Sequence, residues 1–585
     1  MTQQRDVGWR DLLRPIRISN GIVSVRVRRE VIPIIFLPGL MGSRLQLNPK
    51  WQGKRPQLPR ANPNGILWDP DNGGWMFQTY GRDLMLPWRR KEFLVGEAFS
   101  PRRAIPADHD DAHNQKFLSG HEGAVERGWG GVMFTTYGRI LTTLHASQTW
   151  IRSVGEYRLS DFFRLPCYAF AYNWMDDVGN TGAKLREYAK ALVERHDTAD
   201  EECKQVILVT HSMGGLVARA ACFLGPAGEA AAMRERVLGV VHGVQPSTGA
   251  AAAFWRMKAG FERDGFAWTS VLHSLLEIAG TWVLGKDGPS VTALLAHMPG
   301  AMTLLPGFEY TDNDGARAWL QVIDETGEGR SISLPKADPH AEIYRKDSGL
   351  LRLVNPEHLD PGAPRTPWGA VAAPDWTGFT RNLNMVEAAQ RGLTKNQHPE
   401  THTFWGFDSS RPTCDRVVLR RRLVRMPEPL QVSPPLPRRA LEGHHSTGAT
   451  IARQPEPPEG TPISELSGNR YIARVRERGK LYEYTMDGPA GDGDGTVPVS
   501  SGSSLSARGD SHRYEVSRSE IRSTLDGHHG PAPKYGAAAS GGGGQDYGAI
   551  RGVVHQDAFQ QYDEVERFTV DAVARLCLMK IDKAR

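Results

Sequence analysis

The sequence predicts an α/β protein built on a mostly parallel central sheet. Three observations carry that expectation. Short apolar runs recur at 31–37, 167–172, 206–209, 237–244 and 401–407. They are rich in β-branched and aromatic residues, as strands buried on both faces are. Helical stretches lie between them, and 182–196 places Leu185, Tyr188, Leu192 and Val193 on one side. Finally, 206–219 reads as strand, tight turn and helix with no spacer, the join that parallel strands need.

Composition narrows the class. A chain of 585 residues would ordinarily divide into about four domains. Here 62 Gly and 39 Pro point instead to long loops, and one sheet carrying long insertions explains the anatomy better. The net charge of +5 is compatible with an anionic membrane surface. No basic stripe interleaves with aromatics, so nucleic acid is not an expected partner. Cys167, Cys203, Cys222, Cys414 and Cys577 are odd in number and widely spaced. They imply neither a disulfide framework nor a metal site, and no metal or cofactor is expected. Residues 1–20 carry charges throughout and lack an apolar core, so no secretory signal is expected. Nothing approaches the uncharged apolar run of about 18 residues that spans a bilayer.

Taken in order, residues 1–30 form a peripheral lead-in. The first core strand, 31–37, ends in the Gly-rich turn Pro38-Gly39-Leu40-Met41-Gly42-Ser43. Residues 46–150 hold little long regular structure. Trp51, Trp68, Trp75, Trp88 and Trp129 mark them as folded, and a helix is expected over 137–147. The strand at 167–172 and the helix at 182–196 lead into the nucleophile-like turn at Ser212. After the strand at 237–244, residues 250–307 are apolar, but Gly260, Gly265, Gly280 and Gly285 divide them. They read as an apolar helical lid or cap. Residues 308–400 form a polar insertion with little periodicity. Arg416, Arg420, Arg421, Arg422 and Arg425 form a basic run, which reads as a solvated face. The Pro-rich stretch 427–463 reads as a surface loop, 471–486 as a β-hairpin turning at Arg478-Gly479-Lys480, and 537–544 as low complexity. A last helix is expected near 562–580. The domain reading is therefore 1–249 as the first part of a core with a Trp-rich insertion, 250–307 as lid or cap, 308–400 as a polar insertion, and 401–585 as the second part of the core.

The candidate chemistry starts at Thr210-His211-Ser212-Met213-Gly214-Gly215. A serine between small residues, after a strand and before a helix, is the pattern of a nucleophile elbow, with Thr210 where the usual pattern has glycine. The plain alternative is a serine that caps a helix. A serine nucleophile needs a base, and the base an orienting acid. In the α/β-hydrolase order both follow the serine, acid first. Asp494, in the Gly-flanked turn Gly493-Asp494-Gly495-Thr496, is the candidate acid, with Asp492 its rival. His555, closing a short apolar run before the last helix, is the candidate base, with His512, His528 and His529 as rivals. His211 reads as an elbow residue. Backbone N–H groups of Leu40 and Met213 are the candidate oxyanion donors.

Three of these segments together, 36–45, 210–215 and 493–498, resemble the lecithin:cholesterol acyltransferase-like lipases. Ala169-Phe170-Ala171-Tyr172-Asn173-Trp174 resembles that family's strand before the nucleophile. The resemblance implies an α/β-hydrolase fold with a mostly parallel central sheet, long insertions and an apolar helical lid or cap. Size, insertions and the missing signal also look like bacterial type VI secretion lipase effectors, most of all the periplasm-acting phospholipase subfamily. That likeness implies phospholipase A1-type hydrolysis of bacterial membrane phospholipids by a secreted antibacterial toxin. It implies synthesis in the cytoplasm, secretion by the type VI system, action in the target-cell periplasm, a cognate immunity protein, and delivery on a secretion-apparatus spike protein. An acyltransferase or thioesterase with the same triad, and a non-catalytic binding protein on the same scaffold, are the alternatives.

Overall fold

The apolar runs pair with one another in the computed structural model. It describes residues 3–8, 23–51, 65–84, 86–96, 103–107, 111–146, 153–154, 157–261, 283–285, 287–329, 331–361, 365–366, 369–370, 375–408, 412–424, 459–467, 471–505, 547–551, 553 and 555–584. The central strands are β1 (Ile34–Leu37), β2 (Cys167–Ala169), β3 (Val206–His211), β4 (Val237–Gly243), β5 (Thr401–Phe407) and β6 (Tyr547–Arg551). Their order is β2-β1-β3-β4-β5-β6, and every neighbouring pair is parallel. The chain steps from β1 outward to β2, then returns past β1 to β3 and runs on to β6. The order reverses between β1 and β3, and in open α/β sheets the crevice at the carboxyl ends of such strands holds the ligand.

The main helices are α1 (Phe134–Ala146), α2 (Val178–His196), α3 (Met213–Phe223), α4 (Ala251–Ala259), α5 (Gly288–Leu295), α6 (Trp376–Leu393) and α7 (Asp563–Ala584). Strand periodicity divides the core into two layers. Ile35, Leu37, Val206, Leu208 and Val240 pack with Leu185 of α2 and Val217 of α3. Ile34, Phe36, Ile207, Val209 and Val241 pack with Ile140 of α1 and Leu576 of α7. The fold is thus the expected α/β class, a parallel sheet between two helical layers.

Several elements differ from the sequence reading. Helix α1 begins three residues earlier than expected, because a distant side chain caps it. Asp71 accepts hydrogen bonds from the N–H groups of Phe134 and Thr135 at 2.9 and 3.0 Å. Helix α2 starts at Val178, capped by Asp177. The polar stretch 308–400 contains the 18-residue α6, whose buried stripe includes Asn382 and Ala389 beside Phe379, Leu383, Val386 and Leu393. The asparagine interrupts the apolar signal, and it is buried because it donates to the Ala296 carbonyl at 3.3 Å.

Within the basic run, Arg416 stands just before the strand Val417–Leu423, and Arg425 lies outside the described residues. Arg420, Arg421 and Arg422 lie in a second sheet with strand order Ile332–Leu334, Leu320–Asp324, Val417–Leu423, Lys480–Met486, Ile472–Glu477, Pro462–Leu466. Its last three strands include the expected hairpin, which turns through Arg478 and Gly479 at φ 49° and 78°. The arginines are not a free basic face. Arg420 pairs with Glu325 and Asp487, Arg421 with Asp324 and Glu477, and Arg422 with Glu325.

All five cysteines are buried free thiols. Among the described residues, no helix is long and apolar enough to cross a membrane. The low-complexity 537–544, most of the Pro-rich 427–463, and 262–282 of the lid or cap lie outside the described residues. What is described of that lid or cap is buried and tied down. Gly300 lies close enough to Met213 that a Cβ there would come within 2.9 Å of Met213 Cε. On α4, Lys258 donates to the Leu350 carbonyl at 3.3 Å and faces Glu465, which also holds Arg352.

Candidate active site

At the carboxyl end of β3 the chain turns through Ser212 with φ 52° and ψ −122°. A serine in this region costs on the order of 1–3 kcal/mol and persists only where its surroundings over-determine it. Here they do. Ser212 N–H donates to the Gly243 carbonyl at 2.9 Å, and Gly215 N–H to the Ser212 carbonyl at 3.0 Å. Gly214 lets α3 press against the end of β1: a Cβ there would lie 2.6 Å from the carbonyl oxygens of both Leu37 and Pro38. Thr210 replaces the first glycine of the usual pattern without obstructing this approach, because its side chain faces β4. Its hydroxyl lies 2.8 Å from His242 Nδ1, both groups buried.

His555 occupies a short 3-10 turn just before the C-terminal helices. Its Nε2 lies 2.7 Å from Ser212 Oγ, and its Nδ1 lies 2.9 Å from Asp494 Oδ2. A carboxylate can only accept, so His555 carries its proton on Nδ1 and turns the Nε2 lone pair toward the serine. The other oxygen of Asp494 accepts from the N–H groups of Thr496 and Val497 at 3.0 and 2.7 Å. Backbone contact fixes the pair further, since His555 N–H donates to the Asp494 carbonyl at 3.1 Å.

Asp494 follows β5 only after the second-sheet insertion. That excursion is closed at its base, where Thr413 and Gly491 exchange two backbone hydrogen bonds of 2.8 Å each. The acid turn therefore sits against β5. A Cβ on Gly406 would lie 2.9 Å from Asp494 Cβ, so glycine leaves the space the aspartate needs. Its rival Asp492 is committed elsewhere, accepting from Asp408 N–H at 2.8 Å. His512, His528 and His529 lie outside the described residues.

Of the candidate oxyanion donors, Met213 is the first residue of α3, where helical N–H groups lack intrahelical acceptors and the helix dipole is positive. Leu40 lies in the loop after β1. That loop touches the elbow: a Cβ on Gly39 would be 3.1 Å from Ser212 Cβ and 2.7 Å from His211 Nδ1. The site is enclosed, with Ser212 only 5 % exposed.

Sequence reasoning missed the partners of His211. Its Nδ1 lies 2.9 Å from the Tyr137 hydroxyl and its Nε2 2.8 Å from the His555 carbonyl oxygen, while Gly39 N–H donates to the Tyr137 oxygen at 3.2 Å. Nothing local in the sequence links Tyr137 to the elbow, because the pairing depends on how α1 lies against the sheet.

Among the described residues, one group could offer a metal three ligands: Asp69, Asp71 and His113, with ligand atoms within 4.8 Å of one another. Their present contacts are structural. Arg44 grips Asp69 through two hydrogen bonds of 3.1 and 3.3 Å, and Asp71 caps α1.

Chemically, the arrangement suits acyl transfer. A hydroxyl faces an unprotonated imidazole nitrogen, the imidazole is oriented by a carboxylate, and a helix N-terminus adjoins the reacting oxygen. No protein-family model matches the chain, and no curated protein does. Among solved structures it is similar to the crystal structure of the Tle4–Tli4 complex, at 23 % identity and a TM-score of 0.60, over 94 % of this chain and 99 % of that one. That likeness shows a shared fold. Two more distant matches are lipase 1 from Pelosinus fermentans and phospholipase PlaB from Legionella pneumophila. The first has 12 % identity and a TM-score of 0.23, covering 93 % of this chain and 98 % of that one. The second has 12 % identity and a TM-score of 0.17, covering 60 % and 78 %. Both lie too far away to carry an argument.

Proposed function

We propose that the chain is a serine-dependent lipid ester hydrolase of the phospholipase A1 type, with Ser212 as nucleophile, His555 as general base and Asp494 as orienting acid. The observation that carries this reading is the hydrogen-bond chain from Ser212 through His555 to Asp494, built on a turn strained at φ 52°. In the reaction, His555 takes the Ser212 proton as Oγ attacks the ester carbonyl. The tetrahedral oxyanion is held by the N–H groups of Leu40 and Met213, each donor worth about 3–4 kcal/mol. His555 then protonates the leaving alcohol and activates the water that releases the fatty acid.

The biological part of the reading is a secreted antibacterial toxin. The substrate is bacterial membrane phospholipid, the route is the type VI system with a spike protein as carrier, and the place of action is the target-cell periplasm. An enclosed serine bordered by an apolar cap supports a lipid substrate, whose acyl chain needs an apolar wall. The structure of similar fold was solved as a two-protein complex, which supports the proposal of a cognate immunity protein here.

Hydrolysis of fluorogenic phospholipids, compared between the wild type and Ser212→Ala, tests the chemistry. Activity of the variant within tenfold of wild type rejects the nucleophile. Product analysis separates a hydrolase from an acyltransferase or thioesterase. Expression with an added signal peptide tests the biology: toxicity is expected for the wild type and not for Ser212→Ala. If cytoplasmic and periplasmic forms of the active protein are equally harmless, the antibacterial reading fails.

A further inference from the structure

A buried hydrogen-bond chain joins the oxyanion loop to the backbone of the base. It runs from Gly39 N–H to the Tyr137 oxygen at 3.2 Å, from the Tyr137 hydroxyl to His211 Nδ1 at 2.9 Å, and from His211 Nε2 to the His555 carbonyl oxygen at 2.8 Å. Its polarity follows from its two ends. An amide N–H can only donate, and a carbonyl oxygen can only accept. His211 must therefore carry a proton on Nε2. With Nδ1 unprotonated, Tyr137 donates to it and accepts from Gly39, and every polar hydrogen in the chain has an acceptor. A second proton on His211 would break this arrangement, because the Tyr137 oxygen would face two donors and its own hydrogen would lose its acceptor.

The surroundings enforce the neutral form. Burial lowers the His211 imidazole to about 3 and pushes the Tyr137 phenol up, so both stay uncharged across the physiological range. Phe36 packs on the Tyr137 ring at 5.0 Å between centroids, and Phe559 meets the His211 ring edge-on at 5.7 Å. Four segments far apart in sequence thus meet in one polar chain: the loop after β1, helix α1, the end of β3, and the 3-10 turn that carries His555.

We propose that Tyr137 and His211 are positioning residues that hold the oxyanion loop and the general base in register about Ser212. The inference rests on the proposed triad and deepens it. His211 touches no reacting atom. It acts through the His555 backbone, while Tyr137 acts through Gly39, the neighbour of the proposed donor Leu40. If the chain works as one unit, removing any link loosens both ends, and a second removal adds little.

The test measures kcat and KM on a fluorogenic phospholipid for the full chain, with active sites counted by a fluorophosphonate. Tyr137→Phe is expected to lower kcat per titrated site by about tenfold or more, with KM within about twofold of wild type. His211→Gln, whose amide can still donate to the His555 carbonyl, is expected to retain more kcat than His211→Leu. The Tyr137→Phe/His211→Leu double variant is expected to match His211→Leu alone. Wild-type kcat per site in Tyr137→Phe, additive losses in the double variant, or losses confined to the number of titratable sites would overturn the inference. Should Tyr137→Phe fail to fold, equal kcat per site in His211→Gln and His211→Leu overturns it instead. Ser212→Ala is assayed alongside: activity retained there rejects the triad, whereas an inactive Ser212→Ala beside an unimpaired Tyr137→Phe rejects only the positioning role.

Discussion

One added methyl group at Gly214 should disable the site without touching a reacting residue. A Cβ at this position would lie 2.6 Å from the carbonyl oxygens of Leu37 and Pro38, where ordinary contact begins at 3.4 Å. Both obstructing atoms are backbone, at the end of a central strand, so neither side can yield by changing a rotamer. The first turn of α3 must therefore move away from β1 by about 0.8 Å. Ser212 is continuous with that turn, and its Oγ now sits 2.7 Å from His555 Nε2. The same displacement would open this separation to roughly 3.5 Å, beyond a useful hydrogen bond. A misplacement near 1 Å costs about a hundredfold in rate, or ~2.7 kcal/mol of barrier. Overpacking itself should remove about 1–3 kcal/mol of stability. The assay compares kcat per titrated site in Gly214→Ala and wild type, with a urea unfolding curve for each. A folded variant within threefold of wild-type kcat would refute the argument that this close approach sets the serine.

Gly406→Ala places a methyl 2.9 Å from Asp494 Cβ, so kcat should fall at least about tenfold as the acid turn shifts, measured on the same substrate. Thr210→Gly restores the usual elbow glycine but leaves His242 Nδ1 without its hydroxyl neighbour; stability should drop by about 1–3 kcal/mol while kcat per site stays within twofold. His211 and His242 are each lowered by burial to about 3, so between about pH 6.5 and 3 the unfolded chain binds more protons than the folded one. Stability should accordingly fall as the pH drops through that window, and equal urea midpoints at pH 7 and pH 4 would contradict the assignment. Lys258→Met removes one of two cations facing the buried Glu465 carboxylate and should destabilise the chain by ~3 kcal/mol, read as a lower urea midpoint with m unchanged.

The elbow and the strands around it were legible because their physics is local. A sharp strand-to-helix turn demands small neighbours around one serine, and buried parallel strands must be apolar on both faces. The order of acid and base supplied Asp494 and His555 as candidates, and the structure brings His555 to Ser212 and Asp494 to the far side of the His555 ring. What stayed hidden depends on tertiary partners. The start of α1 is set by Asp71, more than sixty residues upstream. Helix α6 was missed because Asn382 lies on its buried stripe. Arg420 and Arg422 are solvent-accessible as a solvated face requires, but the acids that pair with 420–422, Asp324, Glu325, Glu477 and Asp487, come from neighbouring strands and turns and could not be read locally. Tyr137 had no local signal at all.

The sequence separation within the site explains why such long insertions are tolerated. Ser212 and His555 lie 343 residues apart in sequence, yet their side chains meet. Loop-closure entropy grows only logarithmically with length, so enlarging an excursion that is already closed adds little further cost. What matters is the base of each excursion. Thr413 and Gly491 shut the second-sheet insertion with paired backbone bonds, and the Thr413 hydroxyl accepts from Gly495 N–H at 2.9 Å. The residue that closes the loop therefore also braces the turn holding Asp494. In the same way the loop after β1, which opens the Trp-rich insertion, is tied to the elbow through Gly39 before the chain departs. The insertions can differ in length and composition while the carboxyl ends of β1, β3 and β5, with the turn before α7, keep their register.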